Sequence, residues 1–399
     1  MSSRAQLTIL FSALIMAIAM GVRQSLGLFL QPIADTLSSS RETFSFALAI
    51  QNILLGIPLA GILADRIGAR MVVGVGSILY AIGFAILALV PSLASLYTGL
   101  GGLLGFALSA TSYVVVLGAV AQVIPPERRG TAFGIVTASG SFGTFTVVPG
   151  LQWLLSEFDW QTTFLYASLA VGTIALFALG LPSKSWKHPV SVGVANQESF
   201  ARVLSKAFKH QGYLLLNCGF LVCGFHVAFI ATHLPSFMAG YGLSDMIGAT
   251  ALSLIGFFNM IGCFLFGRLG DRHPKKYLLS FLYLSRAIVI CFFLIVPVTG
   301  VTALIFASVI GFLWLATVPL TSGIVAQIFG TGHLSSLYGI VFLSHQIGSF
   351  FGVWLGGRIY DQTGSYNSVW IGAIILGVVA TLLHLPIQET SLPRSTSNA

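Results

Sequence analysis

Twelve times along the chain a stretch of roughly twenty residues or more passes with almost no charge, and about twenty apolar residues are what a helix needs to cross a bilayer. No other property limits the fold so tightly. Composition enters as a check: of 399 residues, 56% are hydrophobic and 8% charged, and mean hydropathy is +0.93. A soluble domain carries about a quarter charged residues, so this chain could not cover its own surface in water, and a soluble enzyme is excluded. About a dozen spans with their connections use up the length, leaving no room for a large domain outside the bilayer.

The spans are expected near 7–30, 44–63, 71–90, 96–123, 131–155 and 163–181, then 213–239, 246–266, 277–296, 301–328, 334–354 and 367–385. The first run follows only Arg4, outlasts a signal-peptide core and leads into further spans, so it reads as a retained helix. Cys218, Cys223, Cys263 and Cys291 lie in apolar stretches without a CxxC and read as small core residues. The eight histidines form no metal pattern, the Gly-rich segments lack a following Lys-Ser/Thr, and no metal or cofactor is implied.

The basic residues sort by side. Fifteen of the nineteen Lys and Arg lie at the termini or after even-numbered spans, against only Arg41 and Arg358 on the opposite side. Lys and Arg are retained in the cytoplasm, so a multi-pass protein of a cytoplasmic (inner) membrane is expected, with both termini cytoplasmic. The net charge of +8 is thus a topology signal and not a nucleic-acid footprint. One long connection divides the chain into bundles at 1–182 and 213–388, joined by a linker at 183–212 and followed by a tail at 389–399. In the linker, Phe200, Val203, Leu204 and Phe208 share one helical face, away from Arg202, Lys206 and Lys209. That pattern fits a helix on the lipid surface or a partly ordered linker.

The two bundles repeat one another. Gly61-Ile-Leu-Ala-Asp-Arg66 recurs as Gly267-Arg-Leu-Gly-Asp-Arg272 at an offset of 206. Ala121-Gln122 and Gly134-Ile-Val136 recur at an offset of 205, and Gly21, Arg23 and Pro32 match Gly224, His226 and Pro235 at 203. Duplicated six-helix halves are a recurring transporter plan.

The segment from Gly61 to Arg70, with its second copy from Gly267 to Lys276, resembles the signature loop of the major facilitator superfamily. The surroundings of Arg23 and the stretch from Ala251 to Gly267 resemble its monocarboxylate and oxalate/formate transporter branch. The resemblance implies the major facilitator fold, twelve transmembrane helices in two pseudo-symmetric six-helix bundles. It also implies alternating access about a cavity lined by spans 1, 4, 7 and 10, and gating by Asp65, Arg66, Arg70, Asp271 and Arg272, which would close the cytoplasmic side. One departure matters: the branch's acidic residue and arginine of span 8 are replaced by Asn259 and Cys263, so lactate-type proton symport does not carry over.

All eleven acidic residues fall at helix ends or in loops, so the buried carboxylate that exporters of cationic drugs use is missing. Arg23 and Arg286 do sit within spans, and a lone guanidinium in hydrocarbon costs several kcal/mol. Arg23, beside Gln24 and matched by His226, suits an anionic group; Arg286 lies in span 9, peripheral in the resembled fold, where packing or snorkelling competes with anion binding. His226 is a candidate for binding or proton linkage, or an ordinary interhelical donor. Gln51, Asn52, Tyr113, Asn259, Trp314, His345 and Gln346 complete the polar or amphipathic candidates for the cavity wall.

These readings point to a secondary transporter of a small organic anion, monocarboxylate-like, with or without a linked proton, acting as a monomer without covalent chemistry. The alternatives are an exporter of amphipathic drugs or siderophore-like metabolites with an aromatic pocket around Trp314, and a non-transporting membrane sensor.

Overall fold

The computed structural model describes residues 3–57, 59–124, 126–183, 200–330 and 334–391. Among them every ordered segment is helical. Eleven helices are long and apolar enough to cross a membrane. Span 2 makes the twelfth in two pieces, Arg41–Gly56 and Leu59–Ile67. Its break follows from the sequence: Ile57 precedes Pro58 and takes an extended conformation, φ −73° and ψ 127°, because a following proline ring clashes with the helical geometry.

Span 1 runs through Ser3–Gln24, a tight turn at Leu26–Phe29 and Leu30–Thr36. Spans 3, 5 and 6 are Ala69–Leu89, Pro126–Glu157 and Trp160–Ala178, the last with a turn at Thr173. Span 4 is Leu93–Val123. Spans 7, 8, 9, 11 and 12 are Gln211–Gly240, Asp245–Gly270, Lys275–Ile295, Leu334–Thr363 and Asn367–His384, and span 10 is Gly300–Phe329. Several exceed their expected bounds, span 11 by nine residues at its end, because hydropathy counts only the lipid-facing length while the helix continues into polar turns. The linker holds a short helix, Phe200–Lys209. The four thiols are free, and Cys218 is exposed, which corrects its reading as a core residue.

The duplication reappears in the packing. Gly21 of span 1 and Gly143 of span 5 sit where any Cβ would strike the other helix, and Gly224 of span 7 and Gly348 of span 11 do the same in the second bundle. Small residues let helix backbones approach this closely. Each bundle therefore carries one tight pair, 1 with 5 and 7 with 11, at matching positions of the repeat.

The bundles meet along spans 2 and 11 and along spans 5 and 8, and the tight turn Leu26–Phe29 within span 1 packs on span 7. At the face opposite the chain termini they are locked together. Asp361 of span 11 accepts the backbone N–H groups of Arg41 and Glu42 at 3.2 and 2.6 Å. The Glu42 carboxylate accepts Trp354 Nε1 at 2.9 Å and lies 3.6 Å from Arg358. At the terminal face, Leu59–Ile67 packs mainly on spans 3 and 4, and the second half of span 10 on spans 7, 8, 9 and 11, each within its own bundle.

Candidate functional site

Spans 4 and 10 are each interrupted near mid-length. In span 4 the helix stops at Ala110 and restarts at Tyr113; in span 10 it stops at Phe312 and restarts at Thr317. The restarts correspond within one residue at the repeat's offset of 205. Paired interruptions in corresponding helices of duplicated halves are the strongest local pointer to a transport site, because unwound backbone is tolerated at membrane depth only inside protein or beside water.

The interruption in span 10 is fully braced. Arg286 donates from Nε and Nη2 to the Leu313 carbonyl at 3.1 and 2.6 Å, and from Nη2 also to the Trp314 carbonyl. Its Nη1 reaches Cys223 Sγ at 3.4 Å, and Cys223 lies 3.3 Å from Thr317 Oγ1. These carbonyls are those a helix end leaves without partners, and the guanidinium supplies the missing donors. From the other side, Asn259 Oδ1 accepts the Leu315 N–H at 2.9 Å. Asn259 Nδ2 donates to Ser141 Oγ of span 5 at 2.9 Å, and Cys263 donates to Asn259 Oδ1 at 3.3 Å. Arg286 is thus interior, not peripheral, and its donors are occupied by backbone. Trp314 is buried in the hydrophobic core.

The interruption in span 4 has different company. Arg23 Nη2 donates to Asn52 Oδ1 at 2.9 Å, while Asn52 Nδ2 is tied back to the Leu48 carbonyl at 2.9 Å. Tyr80 of span 3 and Tyr113 at the restart lie within electrostatic reach of Arg23. Tyr113 is also within electrostatic reach of Cys263 in the other bundle. Among the described residues Asn52 is Arg23's one hydrogen-bond partner and no carboxylate approaches it. A guanidinium has five donors, so several remain unengaged. Arg23, Gln24 and Tyr113 keep part of their surface exposed.

Other candidates point elsewhere. His226 Nε2 donates to the Ala373 carbonyl of span 12 at 2.8 Å, and the ring is buried. Among the described residues no contact joins it to Arg23. The repeat aligned the two positions, but the ring turned toward span 12. Gln51 bonds the Leu100 carbonyl at 3.1 Å. His345 packs between Phe220 and Phe342, and the stem of Gln346 packs on Gly56 of span 2; His345 Nε2 and Gln346 Oε1 are buried without a partner among the described residues. Arg66, Asp271 and Arg272 are exposed at the terminal face, and Arg70 bonds the Leu181 carbonyl within its own bundle at 3.0 Å. The side chain of Asp65 lies outside the described residues. Asp271 and Arg272 help line a surface cavity of about 630 Å³ with Lys275, Lys276, Gln327 and Glu389.

Two groups escaped sequence reasoning. Tyr80 was findable, since the offset of 206 makes it the counterpart of Arg286. The lock of Arg41, Glu42, Trp354, Arg358 and Asp361 had one signal: Arg41 and Arg358, the two basic residues on that side, each stand within three residues of an acid.

The sequence model described as Major Facilitator Superfamily matches residues 10–352. An uncharacterized MFS-type transporter of Bacillus subtilis, YcxA, is 24% identical over 425 aligned residues covering 100% of this chain and 99% of that protein. Monocarboxylate transporter 13 of Bos taurus is 25% identical, covering 93% of this chain and 86% of its own. Among solved structures, a bacterial homolog of the human lysosomal transporter Spinster, in an inward-facing and occupied conformation, aligns with a TM-score of 0.76 at 15% identity over 98% of both chains. The nucleoside transporter NupG aligns with a TM-score of 0.72 at 16% identity over 95% of this chain and 99% of its own. With twelve spans, duplicated bundles and a family match over most of its length, the chain belongs to the Major Facilitator Superfamily of membrane transporters.

Proposed function

We propose that this transporter carries a small organic anion of the monocarboxylate type across a cytoplasmic membrane by alternating access. One observation carries the reading: Arg23 stands at the interrupted part of span 4 with most of its donors unengaged and no fixed carboxylate beside it. A carboxylate would complete both the charge and the geometry, since guanidinium and carboxylate pair through two parallel hydrogen bonds. Tyr113 would turn its hydroxyl to the solute from the Thr137 carbonyl, to which it donates at 3.4 Å, and Asn259, on the facing bundle, would report the solute to the braced interruption of span 10. The similarity to monocarboxylate transporter 13 over most of both chains, at 25% identity, supports the solute class.

The excess of Lys and Arg supports a cytoplasmic terminal face, and the amphipathic Phe200–Lys209 would lie along its lipid surface. The lock at the opposite face would close the outer side, so that in this reading the solute reaches Arg23 from the cytoplasm. In the reverse state Asp65, Arg66, Arg70, Asp271 and Arg272 would close that side. Cells need a source of energy for accumulation, and proton linkage is one route the site leaves open. Purified protein in liposomes, offered a panel of radiolabelled carboxylates with and without a pH gradient, tests the proposal. Saturable uptake of at least one carboxylate supports it. Uptake of cations or neutral amphipaths alone would replace it with the exporter reading.

A further inference from the structure

The lock at the face opposite the termini is built differently from a surface salt bridge. Helix 41–56 of span 2 begins at Arg41, and its first N–H groups have no partner in their own helix. The acceptor comes from the other bundle: both carboxylate oxygens of Asp361 take the N–H groups of Arg41 and Glu42. A negative charge there is also favoured by the helix dipole. The side chains of the same two residues complete the hold. The Arg41 guanidinium lies 3.8 Å over the Tyr360 ring and donates to Tyr366. Glu42 takes Trp354 and Arg358.

We propose that Asp361 is a proton-controlled bolt of this gate. Protonation from the outer side turns one of its acceptor oxygens into a donor and removes the charge facing the helix start, so span 2 is released from span 11. The inference rests on the alternating-access reading above and names its outer control. Asp361 is exposed, so water can deliver the proton. The groups facing it are Arg41 and Glu42 on span 2, Arg358 and Tyr360 on its own helix, and Tyr366 before span 12. Behind Tyr366 stands His233 of span 7, at 3.3 Å, and beside Arg41 stands Gln31, bonded to Asp35. Asp361 fits the role because it accepts the backbone N–H groups that begin the helix of the opposite bundle, whereas Glu42 accepts the side chain of Trp354 and lies beside Arg358.

The test uses full-length protein in phosphatidylethanolamine–phosphatidylglycerol vesicles. Spin labels are placed through non-cysteine residues at Glu157 and Gln362 on the locked face, and in a second preparation at Ile67 and His273 on the terminal face. Distances are recorded while the pH falls from about 7.5 to about 3, past the reference value of an aspartate. The expected result is a shift of about tenfold in the ratio of short to long distances at the locked face, the size of a lost helix-cap contact. Asp361→Asn should give the long distances already at neutral pH and lose the response, and Glu42→Gln should keep it.

A wild-type distribution that ignores pH overturns the proposal, as does an Asp361→Asn variant that responds like wild type. Loss of the response in Glu42→Gln with its persistence in Asp361→Asn would move the proton to Glu42. The wild-type and Glu42→Gln series decide the matter even if the Asn variant does not fold. If the locked face stays fixed while the terminal-face pair closes on adding carboxylate, the bolt fails and alternating access stands. If neither pair moves under any condition, both readings fall.

Discussion

Arg23 in the first bundle and Arg286 in the second are both guanidiniums among membrane spans with no carboxylate beside them. Their surroundings cross over in the repeat: Arg23 has Tyr80 within electrostatic reach, and Arg286, at Tyr80's position, has His226, at Arg23's, within the same reach. What differs is where the donors go. Arg286 spends them on the Leu313 and Trp314 carbonyls of a broken helix and on Cys223. Among the described residues Arg23 makes one bond, to Asn52, and it keeps part of its surface exposed. The comparison teaches that a charged residue within a span is not in itself a binding site. Its unengaged donors are what a ligand can use, and duplication let one bundle keep a rigid brace while the other kept an open cation.

The largest expected effect breaks the brace. Arg286→Ala strips donors from two buried carbonyls, and each unsatisfied group costs about 1–3 kcal/mol, so thermal unfolding in detergent should show a loss of about 3 kcal/mol or more. Arg286→Lys should recover little of it, because a single ammonium cannot reproduce the planar fork. A variant with unchanged melting would mean that the interruption of span 10 holds itself.

Asn259→Ala comes next. It leaves the Leu315 N–H without its acceptor and removes the link to Ser141, a loss of about 1–3 kcal/mol in the same melting assay. Asn52→Ala sharpens the contrast from the open side: it removes a bond worth about 1 kcal/mol and adds a further unengaged donor to Arg23. Carboxylate affinity by calorimetry should change less than it does on altering Arg23 itself.

The twelve spans were legible because lipid demands long apolar runs, and the duplication because anchors such as Gly61–Arg66 survive at a constant offset. The interruption of span 2 was legible in principle at Pro58. Those of spans 4 and 10 were not: Leu313-Trp-Leu-Ala316 contains neither Gly nor Pro and reads as continuous helix. It is opened by Arg286 and Asn259, partners on spans 9 and 8 that only the folded bundle brings to it. The repeat predicted the register of His226 but not its direction, since a helix-borne ring can turn to span 12 or to the interior with no change in sequence spacing. The far-face lock joins residues about 320 positions apart, which no local pattern records.

The smallest effect lies outside the membrane. His210 caps span 7 by accepting the Tyr213 N–H on Nδ1 at 3.3 Å, and partial burial holds its pKa below the ordinary 6.5. A histidine with a lowered value stabilises the fold above its ordinary pKa, and this contribution is lost as the pH falls through the lowered one. Wild-type melting should therefore decline slightly on acidification below about pH 6.5, and His210→Asn, which can cap without titrating, should flatten that slope.

The most direct measurement of the central claim is carboxylate affinity in Arg23→Gln, determined by titration of purified protein with the best substrate of the uptake panel. Hydrogen bonds to a charged partner are worth about 1.5–3 kcal/mol, so affinity should fall by about 10- to 100-fold while melting temperature stays near wild type. Unchanged affinity in a folded Arg23→Gln variant would contradict the account.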